Sequence, residues 1–291
     1  MPPFATRDEL DADEANQLRE ALFDVAEGLL RTGGDVAAAD RVDILERLLG
    51  EDVCRRLGIY RLPGDFLLSV VIPVYNEVAT IEKIIDRVQA CGLPCEIVAV
   101  DDGSRDGSRE VLQRLKDRDG LRVIFHEKNQ GKGAALKTGF AHVTGDVVIV
   151  QDADLEYDPQ DFRLLLQPIL ENRADVVYGS RFAHNDRRVS PLWHQTGNQV
   201  ITTLSNIATG LKLTDAETCY KMFRRELIQR IAPSLQERGF GVELEITAKL
   251  AKISGTRFYE RPISYARRSY AEGKKIGLKD GFRALWCIAR Y

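Results

Sequence analysis

The chain has 291 residues, 44% of them apolar and 29% charged. That length allows one or two domains, and the composition excludes a disordered, collagen-like or wholly membrane-embedded protein. The net charge of −3 hides an asymmetry: residues 1–65 carry net −7, residues 66–291 net +4, and the stretch 254–291 holds nine Lys/Arg against three acids. A segment of that last kind attracts phosphates, nucleic acid or an anionic membrane surface.

The N-terminal MPPFATRDEL lacks the basic stretch and apolar core of a secretory signal, and no window approaches about 18 unbroken apolar residues. Five cysteines without regular spacing argue against a secreted disulfide scaffold, and Cys91 and Cys95 lack the histidine pair of a zinc site. A cytoplasmic protein is expected. Residues 8–60 read as helical, with Leu18, Leu22, Val25 and Leu29, then Val42, Leu45, Leu49 and Val53, recurring at three and four. Gly33-Gly34 marks a break between two helices, and Leu62-Pro63-Gly64-Asp65 a boundary.

From Phe66 short apolar runs alternate with amphipathic stretches. Strands are predicted at 66–74, 96–100, 121–125, 146–151 and 175–178, with helices around Ile81, Ile84, Ile85 and Val88 and around Val111, Leu112 and Leu115. Continuous Val/Ile runs with helical crossovers imply a mostly parallel sheet covered on both faces. Ligands bind outside the carboxyl ends of such strands, so functional residues are expected just after each run.

Acids gather there. Pro73-Val74-Tyr75-Asn76-Glu77 follows the first run, Asp101-Asp102-Gly103-Ser104 the second and Asp152-Ala153-Asp154-Leu155-Glu156 the fourth. Asp and Gly also start helices and fill βα loops, which accounts for part of the pattern. Asp152 and Asp154 can present oxygens to one hard cation, Mg²⁺ or Mn²⁺, completed by water and substrate phosphates. Asn129-Gln130-Gly131-Lys132-Gly133 opens a helix, where glycines permit close backbone approach, the helix start favours anions and Lys132 adds charge. Neither a P-loop nor a GxGxxG fingerprint is present, which argues against NTPase and NAD chemistry. There is no GxSxG elbow, and His126, His142, His184 and His194 form no zinc-protease pattern.

Taken together, VVIPVYNE, VDDGSRDGS, NQGKGAALKTG, QDADLEYDP and YGSRF resemble the family 2 inverting glycosyltransferases, nearest to the dolichyl-phosphate mannose synthase-like branch, over residues 66–270. The resemblance implies the α/β nucleotide-sugar-binding fold called GT-A at 65–265, after a helical extension at 1–64 and before a basic loop and amphipathic helix at 266–291. It implies that Pro73, Tyr75 and Glu77 line the nucleoside pocket, that Asp101 or Asp102 accepts from the base, and that Lys132 lies near the nucleotide. Asp152 and Asp154 then hold the metal, with Glu156 a further ligand and Asp152 also facing the donor. Arg181 serves phosphate or acceptor, Asp215 or Glu217 is the base, and Lys221, Arg268 and Lys274 join the donor and acceptor phosphates.

The function this implies is inverting, metal-dependent transfer of a hexose from a UDP- or GDP-linked sugar to a polyprenyl phosphate. Trp193-His194-Gln195 and Asn198 stand where the mannose synthases have arginine and serine, and Arg187 and Arg188 lie just upstream. Phe282, Leu285, Trp286 and Ile288-Ala289, flanked by Arg283 and Arg290, read as a helix that lies in a membrane interface or docks on the protein's own core. Peripheral contact with the inner face of a membrane is therefore expected. Transfer to a sugar hydroxyl and a non-catalytic nucleotide-binding scaffold are the alternatives. Nucleotidyl transfer is disfavoured because PVYNE is not the glycine-rich loop it uses, and nucleic-acid binding because no recognition motif is present.

Overall fold

The parallel sheet expected from the Val/Ile runs forms, and it is larger than the runs predict. The computed structural model describes residues 18–24, 40–183, 192–266 and 278–291. Strands β1 (Leu68–Val74), β2 (Cys95–Asp101), β3 (Leu121–Phe125), β4 (Val147–Val150) and β5 (Val176–Ser180) fall on the five runs to within a few residues. Two more, β6 (Lys221–Arg224) and β7 (Phe258–Pro262), complete the order β3-β2-β1-β4-β6-β5-β7. All pairings are parallel except those of β6, which runs antiparallel to β4 and β5. β6 is four residues, KMFR, with a charge at each end, and β7 is a half-buried edge strand; neither carries a run long enough to read.

The chain divides into two compact units, Met1–Gly64 and Asp65–Tyr291. In the first, residues 18–24 are helical, followed by α1 (Asp40–Leu49) and α2 (Glu51–Arg56). The helix expected through Val53 breaks at Gly50, whose φ of 82° lies in the left-handed region. The break turns Val53 outward and brings Cys54, Leu57 and Ile59 onto Val42 and Leu45, with Leu22, Phe23 and Leu49 packed against them. Val25, Leu29 and Gly33-Gly34 lie outside the described residues.

In the second unit, α3 (Ile81–Gln89), α4 (Ser108–Leu115), α5 (Lys132–Phe140) and α6 (Phe162–Leu170) are the crossovers. Ile81, Ile84, Ile85 and Val88 of α3 are wholly buried, as the predicted stripe requires. Then come α7 (Leu192–Thr209), α8 (Arg225–Ile231), α9 (Val242–Ala251) and α10 (Leu278–Arg290). The C-terminal helix, expected as a separate segment, is part of this unit: Ala284 and Cys287 are buried, and the Arg283 guanidinium donates to Glu237 Oε2 and Oε1 at 2.8 and 2.9 Å.

Because β1 sits between β2 and β4, the chain leaves it in one direction and returns on the other side. In open α/β sheets such a reversal marks the ligand-binding crevice, which here falls at the carboxyl ends of β1 and β4. Val150 is level with Val71 and the Gln151 N–H donates to Val71 O, so Asp152 emerges beside the end of β1.

Candidate active site

On one side of the crevice, the loops after β1 and β2 are laced together. The Asn76 N–H donates to Ser104 Oγ at 3.0 Å, Arg105 N–H to Asn76 Oδ1 at 2.9 Å, Glu77 N–H to Ser108 Oγ at 2.8 Å and Val78 N–H to Asp106 Oδ2 at 3.0 Å. Asn76 takes a φ of 54°, a conformation its short amide side chain tolerates. Of the three residues expected to line a nucleoside pocket, Pro73 and Glu77 are half-buried and Tyr75 is exposed.

The two acids expected to read the base are both turned inward. Asp101, wholly buried, accepts from Ser104 N–H through Oδ1 at 3.2 Å and from Arg109 Nε through Oδ2 at 2.8 Å. Asp102 accepts Gln130 N–H at 2.9 Å and Gly131 N–H at 2.7 Å, and faces His126 Nδ1 at 2.7 Å. With Asp102 as acceptor, His126 donates from Nδ1, and its Nε2 lies 2.9 Å from the Thr138 hydroxyl. His126, given no role by the sequence, thus ties Asp102 to α5. In this structure both carboxylates brace loops.

The glycines around Lys132 have a structural reason. A Cβ on Gly131 would lie 2.1 Å from Arg238 O and one on Gly133 1.9 Å from Glu237 O, and the Gly133 N–H donates to Arg238 O at 2.7 Å. The close approach is to the segment before α9. It seats Lys132, the first residue of α5, among acids. Its Nζ is 2.7 Å from Asp152 Oδ1 and 3.0 Å from Glu243 Oε1, while Lys221 Nζ bonds the other oxygen of Glu243 at 2.6 Å.

Asp152, Lys132, Glu243 and Lys221 thus form one line of alternating charge. Against burial, which disfavours its charge, Asp152 above all holds the Lys132 amine well above its ordinary range; against burial, Lys132 holds Asp152 below the usual carboxylate range. Lys221, expected among the donor phosphates, is entirely buried and also donates to Thr218 O. Glu243 was not read from the sequence, although an acid among the apolar positions of VELEITAKLA was the available signal.

Asp154 is buried and its Oδ1 accepts from the Glu156 N–H at 3.1 Å. Glu156 turns its carboxylate to the Tyr265 hydroxyl, 2.7 Å away, where Tyr157 and Tyr265 form a β-bridge. The expected three-carboxylate set does not gather: among the described residues no three His, Cys, Asp or Glu side chains are grouped to hold a metal. Asp152 and Asp154 nevertheless suit Mg²⁺ or Mn²⁺, which take one or two carboxylates and complete their shell with water and phosphate. Asp152 already carries a cation, the Lys132 ammonium.

On the other side of the crevice, Arg181 grips Asp215 with two bonds, Nε to Oδ2 at 2.6 Å and Nη2 to Oδ1 at 2.8 Å, and the Arg181 N–H adds a third to Oδ2. Asp215 is wholly buried, an orienting carboxylate in this arrangement; its own N–H and that of Thr214 donate to Glu260 on β7. Arg181 also reaches Asn198 Oδ1 on α7 at 3.4 Å and lies over the Tyr265 ring at 5.3 Å. Burial raises the Glu217 carboxyl to about 7, with Arg181 pulling it down and Asp215 pushing it up. A carboxyl raised to about 7 is suited to accept a proton at neutral pH. Arg187, Arg188, Arg268 and Lys274, and the side chains of Trp193, His194 and Gln195, lie outside the described residues.

The model of the family described as Glycosyl transferase family 2 matches residues 69–232, more than half of the chain. Proteins named undecaprenyl-phosphate 4-deoxy-4-formamido-L-arabinose transferase, from Pseudomonas paraeruginosa and Pseudomonas aeruginosa, are 32% identical over 219 residues, 73% of this chain and 61% of theirs. The chain thus spans less than two thirds of these curated relatives. The crystal structure of Mycobacterium tuberculosis glucosyl-3-phosphoglycerate synthase in complex with Mn²⁺, uridine diphosphate and phosphoglyceric acid superposes with a TM-score of 0.54 at 22% identity, covering 73% of this chain and 79% of that one. Another crystal structure of that synthase gives 0.57 at 23%, covering 78% and 80%. The shared fold is GT-A, as expected.

Proposed function

Because the chain belongs to glycosyl transferase family 2, we propose that it transfers a hexose, with inversion, from a UDP- or GDP-linked sugar to a polyprenyl phosphate. The observation that carries this reading is the Asp152/Asp154 pair at the end of β4, with Lys132 on one carboxylate and the crevice between β1 and β4 in front of it. Asp152 and Asp154 would hold Mg²⁺ or Mn²⁺, which offsets the negative charge of a departing nucleoside diphosphate. The structural relative's complex with Mn²⁺ and uridine diphosphate supports that cofactor class. Pro73, Tyr75 and Glu77 offer a rim for the nucleoside. Asp102, braced by His126, fixes the loop that presents Lys132.

For the acceptor, the named substrate of the curated relatives is a lipid phosphate. A phosphate is already ionised near neutral pH, so the chain's task is to position it with cations. Arg181, aimed by Asp215 and Asn198, is the cation for that task. Against burial, Asp215 holds Arg181 well above its ordinary range, so it keeps its charge.

Two helices that pack on one another, α7 and α10, support contact with a membrane. On α7 the inner face is polar, with Thr202 and Ser205 buried, while Val200, Leu204 and Ile207, spaced by four and three, face outward, Ile207 at 75% exposure. On α10, Phe282 (74% exposed), Leu285 and Trp286 face outward, and Arg283 and Arg290 lie over the Trp286 ring at 4.4 and 4.7 Å. Apolar stripes rimmed by Trp and Arg suit a bilayer interface. No helix among the described residues is long and apolar enough to cross a membrane.

The test is direct. The purified chain is incubated with UDP- or GDP-hexose, Mn²⁺ and undecaprenyl phosphate in anionic vesicles, and the lipid product is weighed by mass spectrometry. A product heavier by one hexose, absent in a folded Asp154→Ala variant, supports the proposal; no product with either donor overturns it. The Glu217 carboxyl near 7 favours a second reading, transfer to a sugar hydroxyl, which needs a general base. Product formed only with a saccharide acceptor would select it.

A further inference from the structure

We infer that Glu243 is a positioning residue that holds the Lys132 ammonium in place when Asp152 turns to serve the cation accompanying the donor's diphosphate; this rests on the donor reading proposed above. Four charged groups, two ammonium and two carboxylate, stand in one line, and only its outer end, at Asp152, opens toward the crevice. Lys221 cannot leave: it is wholly buried and held by Glu243 and Thr218 O. Lys132, under the Phe240 ring at 5.9 Å, is likewise too enclosed to stand as an unpaired charge.

If Asp152 were the only partner of Lys132, engaging a metal would strand that ammonium. Glu243, with one oxygen on each lysine, eases the conflict: Asp152 can exchange partners while each ammonium group keeps a carboxylate oxygen beside it. The placement is built by the backbone. Gly131 and Gly133 admit the Glu237 and Arg238 carbonyls, and a Cβ on Gly133 would also press on Val242, the residue before Glu243. The glycines of NQGKG bring the start of α9 against the start of α5, and with it Glu243 against Lys132.

In Glu243→Gln Asp152 is the one carboxylate left to Lys132, so the Asp152–Lys132 pair tightens and competes with the metal. Meanwhile the site gains net positive charge toward an anion. The full-length chain is melted with UDP and with GDP across a Mn²⁺ series, wild type beside variant. Wild type is expected to show a nucleotide shift that grows with Mn²⁺. Glu243→Gln is expected to need about tenfold more Mn²⁺ for half of that shift, in line with the loss of an outer-shell partner. Its metal-free nucleotide shift should be unchanged or larger. Glu243→Asp keeps the charge and should fall in between; if the Gln variant does not fold, a raised Mn²⁺ midpoint in Glu243→Asp carries the test.

An unchanged Mn²⁺ midpoint overturns the inference, as does a parallel loss of metal-free and metal-dependent shifts, the mark of a merely structural role. If wild type shifts with neither nucleotide, the donor reading falls and takes the inference with it; a wild-type shift with an unaltered variant removes the inference alone.

Discussion

On the β1–β2–β3 side of the sheet, Asp101, Asp102 and Asp106 turn their carboxylates mainly onto backbone N–H groups of neighbouring loops. On the β6–β5–β7 side, and where α9 meets the start of α5, the buried charges face one another: Arg181 on Asp215, and Lys132 and Lys221 on Glu243. A carboxylate that gathers N–H groups makes a rigid platform, since each backbone donor would be orphaned by its departure. Charges paired with charges have a counterpart in a charged substrate, so they can be rearranged by one. The first arrangement suits holding a nucleoside in a fixed pose. The second suits a centre where a diphosphate, a cation and an acceptor phosphate arrive and leave.

The comparison breaks most visibly at Arg181. Arg181→Ala leaves Asp215 buried without the fork that neutralises it, a loss of about 3–5 kcal/mol. A fall in melting temperature of roughly 10 °C is expected for a chain of this size. A fall of only a degree or two would mean that Asp215 is hydrated and the pair is a surface contact.

Asp102 tests the platform. Asp102→Ala orphans the Gln130 and Gly131 N–H groups and one nitrogen of His126, at a cost of about 2–3 kcal/mol in urea unfolding. Nucleotide binding should weaken with it, because the same loop carries Lys132. Asp102→Asn keeps one acceptor oxygen and should recover about half of the loss.

Glu217 gives the smallest effect and the sharpest sign. Its carboxyl is raised by burial from 4.5 to about 7, so the native state binds the proton more tightly than the unfolded chain does. The stability this contributes is present at low pH and is lost as pH rises from the unfolded value through about 7. Glu217→Gln, which cannot ionise, should flatten that decline and exceed wild type above pH 7 by about 1–2 kcal/mol. With a lipid-phosphate acceptor the same variant keeps most of its turnover; with a hydroxyl acceptor it loses about 10²-fold or more. One protein preparation therefore reads both the titration and the acceptor class.

Much of the first half of the site could be read along the chain. Asp101-Asp102, Lys132 and Asp152-x-Asp154 each follow an apolar run, and the runs became β2, β3 and β4. Their inward turn could not be read, because the groups that claim Asp102 come from Gln130 and Gly131, 28 and 29 residues away. Glu260, which braces Thr214 and Asp215 from 46 and 45 residues away, lies on β7, a strand too exposed to show a pattern. On α7 the rule that apolar residues point inward is reversed, so the periodicity identifies a helix and misplaces its face.

By itself the sequence determined what local physics governs: the alternation of strands and helices, the strand ends at which polar residues emerge, and the glycines where two backbones meet. Apolar periodicity and turn chemistry act over a few residues and are written in order along the chain. The pairing of charges was decided only in three dimensions. Whether an acid binds a metal, braces a loop or neutralises a lysine depends on which distant group the folded chain brings within about 3 Å, where a charge removed from water must find its partner.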